Sequence, residues 1–357
     1  MRLLIAMTKM GCSGKVDKSR RVDHRWGVVL AGGDGKRLLP LTRRISGDER
    51  PKQFCRVMGS ETLLQQTRSR VSGMIAARQT LVVLTKAHEL FYFDEVQDLE
   101  PARVLVQPFN RGTLPAVLYA LARVQHLDPD AMVAFFPSDH YFSSESVLQR
   151  HVGAAFRAAE SHPNAVIVLG IRPASPEAEY GWIQPGMPFS ESSDKAMFRV
   201  RRFWEKPSVP LASALIRRGC LWNTFIMVGR IQAFLDLTSQ ALPAIFQTFY
   251  LTSSCLQEAD PMALEELYAR IKIVNFSQDV LAARPERLAV LRADGLGWSD
   301  LGDPGRVISA VVHNGIQTEW NVEAALEQQI PPTRPMVHAS QLPQSQVSGN
   351  RRQRQVL

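Results

Sequence analysis

The 357-residue chain reads as an α/β protein built on a doubly wound, mainly parallel sheet, and three observations point there. Short, apolar, β-branched runs alternate with segments of helical spacing through the first half of the chain, the order that makes parallel strands joined by crossover helices. The first run ends abruptly in a glycine-rich turn, where open sheets of this kind gather ligands. Isolated carboxylates then stand just beyond the ends of later apolar runs.

The first run, Gly27–Ala31, is apolar throughout and reads as a buried strand. Gly32, Gly33 and Gly35 follow it. Glycines there let the backbone turn with positive φ and aim successive N–H groups at one point, a concavity suited to phosphate oxygens. Arg37 lies in the same loop, and Lys52 returns after a polar stretch. Such a turn is equally an ordinary loop; it is neither a P-loop, since no G-K-[ST] closes it, nor the dinucleotide fingerprint G-x-G-x-x-G. Thr80–Thr85, Arg103–Gln107 and Met132–Pro137 read as the next strands, with helices over His88–Leu99, Leu114–His126 and Ser146–Glu160, and Ala165–Ile171 is a further strand. After Ile171 the pattern changes to shorter strands at Gly181–Gln184 and Phe198–Trp204, with helices at Leu211–Arg218, Ile231–Leu242 and Pro261–Ile271. That change reads as a substrate-binding lobe inserted on the same sheet.

A chain of this length buries a substantial core. Its formal net charge of +8 sits entirely at the ends: residues 1–25 carry +5 and residues 344–357 carry +3, leaving the intervening segment neutral. No nucleic-acid surface is therefore expected of the core. The four cysteines (Cys12, Cys55, Cys220, Cys255) are far apart, a pattern of neither a zinc site nor a disulfide framework. The opening M-R-L-L-I-A-M is too short for a signal-peptide core and no run reaches transmembrane length, so the expectation is a reduced, cytoplasmic location without membrane attachment. Residues 1–25 read as a basic disordered extension and 311–357, rich in Pro, Gln and Ser from Pro331, as a largely disordered tail.

Asp139 in F-F-P-S-D-H follows directly on an apolar strand, where a hard carboxylate oxygen suits Mg²⁺, though a lone S-D-H is as well a turn or helix cap. Asp300 in G-L-G-W-S-D-L-G supplies a second carboxylate in a similar setting, and Asp303 beyond it is either a helix N-cap or a substitute ligand. Gln107 offers an amide donor and acceptor at a strand end, and Gly112-Thr113 opens a helix. Glu205-Lys206-Pro207 taken alone is a surface turn. The scattered histidines (His88, His126, His140, His151, His162) pair with no Ser or Cys in a nucleophile motif, so covalent catalysis has no support.

The combination L-A-G-G-x-G-x-R-L-x-P-L…P-K-Q-F resembles the signature of sugar-nucleotide pyrophosphorylases over roughly residues 26–310, and P-K-Q-F resembles the mannose-1-phosphate guanylyltransferases among them. The resemblance implies a Rossmann-like nucleotidyltransferase fold: a nucleotide half over about 26–171 and an inserted sugar-phosphate lobe over about 172–310. It implies Mg²⁺-assisted conversion of mannose 1-phosphate and GTP to GDP-mannose and pyrophosphate. Ala31, Gly32, Gly33, Gly35, Arg37 and Lys52 would hold the nucleotide phosphates, with Gln107, Gly112 and Thr113 on the base side. Asp139 and Asp300 would hold the metal. Lys206 would bind the sugar phosphate, while Glu205 and Asn223, in E-K-P and W-N-T, would meet sugar hydroxyls. Gly181, in Glu179-Tyr180-Gly181, would allow close approach to the sugar ring. A homodimer is compatible with the resemblance. Three departures stand out: a longer spacer over Arg44–Arg50, Lys36 where Thr is usual, and Phe225 where many relatives have Gly. The alternatives are a glucose-1-phosphate transferase using dTTP or UTP, and a non-catalytic sugar-nucleotide-binding regulator.

Overall fold

A computed structural model describes residues 23–189, 196–251 and 261–322, together with Ala325. The basic stretch before Asp23 and the stretch from Pro331 lie outside the described residues. The described residues up to Trp320 make one compact unit, and the few described beyond it belong to a second.

The strands are β1 (Arg25–Leu30), β2 (Thr80–Thr85), β3 (Val104–Gln107), β4 (Met132–Pro137), β5 (Tyr141–Phe142), β6 (Val166–Ile171), β7 (Gly181–Pro188), β8 (Met197–Glu205), β9 (Leu221–Arg230), β10 (Leu288–Arg292) and β11 (Trp298–Ser299). Nine of them form one sheet in the order β3-β2-β1-β4-β9-β6-β10-β8-β7, and β11 with β5 makes a small ribbon. From β3 to β4 every pairing is parallel, as the alternating pattern predicts. Beyond β4 the sheet is mixed. β9 runs antiparallel between β4 and β6, β10 is parallel to β6, and β8 and β7 follow antiparallel.

Strand β9 is invisible to an apolar-run search because Asn223 and Thr224 interrupt it. Both are buried yet satisfied: the Thr224 hydroxyl donates to the Leu169 carbonyl at 2.9 Å, and Asn223 Oδ1 accepts from the Phe225 amide at 3.0 Å. The β6–β9 register shifts between Val168 and Gly170, opposite the stretch where Phe225 adopts φ +60°. A bulge there re-aims side chains toward a site. The left-handed φ of Phe225 is one that glycine adopts readily and a bulky side chain only under strain.

Alternation along the strands feeds two cores. Val28, Leu81, Val133 and Val168 enter one face and Val29, Val82, Ala134 and Ile167 the other. The helices are α1 (Leu39–Ser46), α2 (Leu63–Ser72), α3 (Glu89–Tyr92), α4 (Thr113–Leu127), α5 (Glu145–Ser161), α6 (Val209–Arg217), α7 (Ile231–Ala241) and α8 (Pro243–Leu251), followed by Pro261–Arg270 and Pro304–His313. Buried residues of α4 and α7 join the first core, and those of α2, α5 and α6 join the second. Helix α2 starts at a capping box in which Thr62 and Gln65 exchange side-chain and backbone hydrogen bonds. Where a helix over His88–Leu99 is expected, only Glu89–Tyr92 is α-helical, between short 3₁₀ turns. Tyr92 enters the second core and Phe91, Val96 and Leu99 pack against it, while Leu90 (93%) and Phe93 (58%) are exposed. At the far end the last helix continues past residue 310, and the Trp320 indole donates to the Val57 carbonyl at 3.2 Å. The compact unit therefore extends beyond the expected boundary. No described helix is long and apolar enough to cross a membrane.

Candidate active site

A cavity of about 420 Å³ opens at the carboxyl ends of β1 and β4. The glycine loop that leaves β1 forms one wall. Gly35 has φ +60°, and a Cβ there would stand 3.1 Å from the Lys52 amide, so the turn admits no side chain without strain. Gln53 holds the loop from below, its amide donating to the carbonyls of Ala31 (3.1 Å) and Gly33 (2.7 Å). The Thr85 hydroxyl donates to the Gly32 carbonyl at 3.0 Å. With these carbonyls tied back, Gly32 and Gly33 line the cavity, while Ala31 is buried beneath it.

Asp139 and Asp300 both line the cavity. Asp300 sits in β11's exit turn, where the Gly302 amide, the Tyr180 hydroxyl and the Arg306 guanidinium all donate to Oδ1, at 2.8, 3.1 and 2.6 Å. These bonds leave Oδ2 for another partner. Burial alone would raise the carboxyl's pKa, but the Lys52 and Arg306 cations together hold it below the ordinary range, so it is an anion at neutral pH. Asp139 keeps its carboxylate near Lys52 Nζ (3.3 Å) and His140 Nε2 (3.8 Å). The Trp298 indole donates to His140 Nδ1 at 3.2 Å, which assigns the ring's other nitrogen as the protonated one. Burial pushes the His140 pKa down, so the ring is neutral. Among the described residues no group of three or more His, Cys, Asp and Glu gathers as a metal cage. Mg²⁺ needs none: it commonly takes one or two carboxylates and completes its shell with substrate phosphate and water, and this donor pair has that form. Asp303 is the N-cap of the last helix, accepting from the Arg306 amide at 3.1 Å.

Lys52 is nearly fully buried, and its amine is well used. It donates to the carbonyls of Asp300 (2.5 Å) and Leu301 (3.2 Å) besides pairing with Asp139. It thereby ties the P-K-Q-F segment to both carboxylate segments. With Gly35, Lys36 and Arg37 it lines a smaller adjoining cavity of about 280 Å³ that shares Arg37 and Asp139 with the main one.

On the opposite wall stand Gly181, Glu205, Asn223 and Phe225. A Cβ on Gly181 would lie 3.0 Å from Glu205 Oε2 and 3.2 Å from Asn223 Cβ, so a side chain there would crowd this wall. Burial, and more weakly the Glu179 charge, push the Glu205 carboxyl up to about 7 against the opposing pull of Lys206. Lys206 lies at the rim, half exposed, with φ +48°, its amide donating to the Tyr180 carbonyl at 3.1 Å. Its ammonium and the Arg37 guanidinium both approach Glu179 Oε2, at 3.6 and 2.6 Å.

At the remaining end, Gln107, Gly112 and Thr113 line the cavity as expected. Gln107 is engaged on both sides, donating to the Leu84 carbonyl (3.3 Å) and accepting from the Tyr268 hydroxyl (3.2 Å). Gly112 has φ +86°, and a Cβ there would collide with the Val274 carbonyl. The Thr113 hydroxyl accepts from the Phe276 amide at 2.7 Å. This pairing brings Asn275 and Ser277 into the lining, residues that sequence reading passes over because the π-helical turn Phe276–Leu281, which Asn275 caps, carries no motif of its own. Glu179, Arg306 and Gln53 were likewise given no role. The first and last lie inside quoted motifs; Arg306 has no signal beyond its place in a helix after Asp300.

The comparisons with known proteins fit this geometry. The chain is 30% identical over 281 residues to the alginate biosynthesis protein AlgA of Pseudomonas fluorescens, covering 77% of this chain and 56% of that one. It is 28% identical over 291 residues to the mannose-1-phosphate guanylyltransferase ManC of Salmonella typhimurium, covering 77% and 57%. It thus spans somewhat over half the length of these curated relatives. A crystal structure titled mannose-1-phosphate geranyltransferase from Thermus thermophilus superposes with a TM-score of 0.67 at 28% identity, over 78% of this chain and 76% of that one. The family model described as nucleotidyl transferase matches residues 26–314, and the chain belongs to that family.

Proposed function

We propose that the chain is a sugar-1-phosphate nucleotidyltransferase that joins mannose 1-phosphate to GTP, releasing pyrophosphate. The observation that carries the reading is the convergence of residues from position 32 to position 300 on one cavity, with cations at one rim and two carboxylates on its wall. The choice of mannose and guanine is supported by the P-K-Q-F stretch and by the relatives that bear that name.

A phosphate oxygen of the sugar 1-phosphate attacks the α-phosphorus of the nucleotide, a new P–O bond forms, and the bond to the leaving pyrophosphate breaks. The attacking group needs no side-chain base, since a phosphate monoester is largely dianionic above its second pKa of about 6. What the reaction demands is in-line alignment of two mutually repelling anions. Arg37 and the glycine-loop amides are set to bind the phosphates that leave, and Lys206 to bind the attacking phosphate. Lys52 fixes the spacing of the two carboxylate segments. Asp139 and Asp300 would hold Mg²⁺, which when bound neutralises phosphate charge and polarises the reacting phosphorus. Glu205 and Asn223 face the space a sugar ring would fill.

Pyrophosphate release by the full chain, with GTP, dTTP, UTP and ATP against mannose and glucose 1-phosphates, tests this. GTP with mannose 1-phosphate is expected to give the highest kcat/KM. Preference for dTTP or UTP with glucose 1-phosphate would assign the other transferase reading, and no turnover with any pair would leave the regulatory one.

A further inference from the structure

We infer that Glu179 is a built-in competitor of the anionic substrates: its carboxylate holds the cations Arg37 and Lys206, and substrate phosphate must be exchanged for it. The inference rests on the proposed reading of Arg37 and Lys206 as phosphate-binding residues. Three separate segments meet here, the glycine loop, the turn before β7 and the end of β8. A single oxygen, Glu179 Oε2, lies 2.6 Å from Arg37 Nη1 and 3.6 Å from Lys206 Nζ, between the two cations as a bridging phosphate oxygen would be. Its place is fixed by backbone: the Lys206 amide bonds the neighbouring Tyr180 carbonyl, and Gly181 pairs with Glu205 across β7 and β8. Lys206 holds its left-handed φ of +48° without being glycine, a strain that persists where the surroundings impose it.

Exposure makes the exchange feasible. The side chains of Arg37, Glu179 and Lys206 are 51, 47 and 49% exposed, so each ion pair is weak and a dianion can displace it. A buried pair would not yield. Glu179 also lines the main cavity beside Arg37, so an entering phosphate meets it directly.

The test measures binding of inorganic pyrophosphate to the full chain by calorimetry, and KM for the sugar 1-phosphate and nucleotide, in Glu179→Gln and Glu179→Asp. The Gln variant should bind pyrophosphate about three- to fivefold more tightly at low salt, with both KM values falling and the gain shrinking as salt rises. The Asp variant keeps the charge and should return most of the way to wild-type affinity. Adding Arg37→Gln should cancel most of the gain. Unchanged affinity in Glu179→Gln would make the cluster an ordinary surface ion pair, and weaker binding would make Glu179 a substrate contact; either overturns the inference. Wild-type turnover alongside such a result would leave the proposed function standing. A wild-type chain that neither binds pyrophosphate nor turns over any substrate pair would sink both.

Discussion

The two halves of the sheet reach the same cavity by different routes. In the parallel half, β1, β3 and β4 run toward it, and the strand ends and the loops leaving them carry Gln107, Gly32 and Asp139. Beyond β4 the strand directions are mixed, and the site takes residues from paired strand ends and a bulge: Gly181 beside Glu205, and Asn223 before the left-handed Phe225. The first half offers backbone and buried tethers, the second half-exposed side chains at a rim. The two lysines embody the contrast. Lys52 is enclosed with three oxygen partners, whereas Lys206 is half exposed with one carboxylate.

The largest expected effect tests the carboxylates that stand where the halves meet. Asp139→Asn or Asp300→Asn should lower kcat/KM by about a thousandfold, several kcal/mol of lost charge stabilisation at the phosphates. Both should also lose about 1–2 kcal/mol of stability, Asp139→Asn because the buried Lys52 ammonium forfeits its anion and Asp300→Asn because Arg306 does. Near-normal turnover of either variant across a Mg²⁺ titration would remove that residue from the metal pair.

The lysines come next. Lys52→Met strands two carbonyls and leaves Asp139 without its cation, so it should cost about 2–3 kcal/mol of stability together with turnover. Lys206→Met should leave the melting temperature nearly unchanged and raise KM for the sugar 1-phosphate roughly ten- to a hundredfold. Direct binding should accompany the kinetics, because KM follows affinity only when substrate release outruns chemistry. If Lys52→Met melted like the wild type, the tether would be energetically idle and the contrast between the halves would fail at its clearest point.

The same contrast governs what was legible in the sequence. Strands β1, β2 and β4 are short apolar runs with turn signals, and local pattern finds β2 and β4 at their observed ends and β1 within two residues of them. The carboxylates Asp139 and Asp300 are found because each follows a strand in a distinctive motif. Strand β9 is missed since polar Asn223 and Thr224 break its apolar run, and the bond that lets Thr224 be buried goes to the Leu169 carbonyl, 55 residues away in sequence. The helix over His88–Leu99 is overextended because apolar spacing, which does find a core-facing side in Tyr92, Val96 and Leu99, does not reveal that the backbone breaks into 3₁₀ turns on either side of Glu89–Tyr92. Lys52 shows the limit most clearly. Its motif marks it as a cation near phosphate, but that its amine meets carbonyls of residues 300 and 301 depends on a pairing across the whole chain.

The smallest effect probes the exposed wall through Glu205. Burial, together with the Glu179 charge and against Lys206, raises its carboxyl from an ordinary 4.5 to about 7. In the unfolded chain it ionises near 4.5. Below that pH both states hold the proton and folding carries no penalty; as pH rises toward 7 the unfolded state releases its proton first and gains. Glu205's favourable contribution is thus fully present below about 4.5 and lost as pH passes about 7. Glu205→Gln removes the ionisation, so relative to wild type the variant should gain stability across that window. The gain should be on the order of 1 kcal/mol, because the cavity admits water that screens the charge. The same proton bears on binding: below 7 the carboxyl can donate to a sugar hydroxyl as well as accept, and above it can only accept. The sugar phosphate's own second pKa of about 6 titrates in the same range, so wild-type KM mixes two ionisations. Dividing the wild-type KM profile by that of Glu205→Gln removes the substrate's step and leaves the protein's. A ratio that changes a few-fold around pH 7 assigns the ionisation to Glu205; a ratio flat from about pH 5 to 9 would mean that the wall beside Lys206 carries no titrating carboxyl.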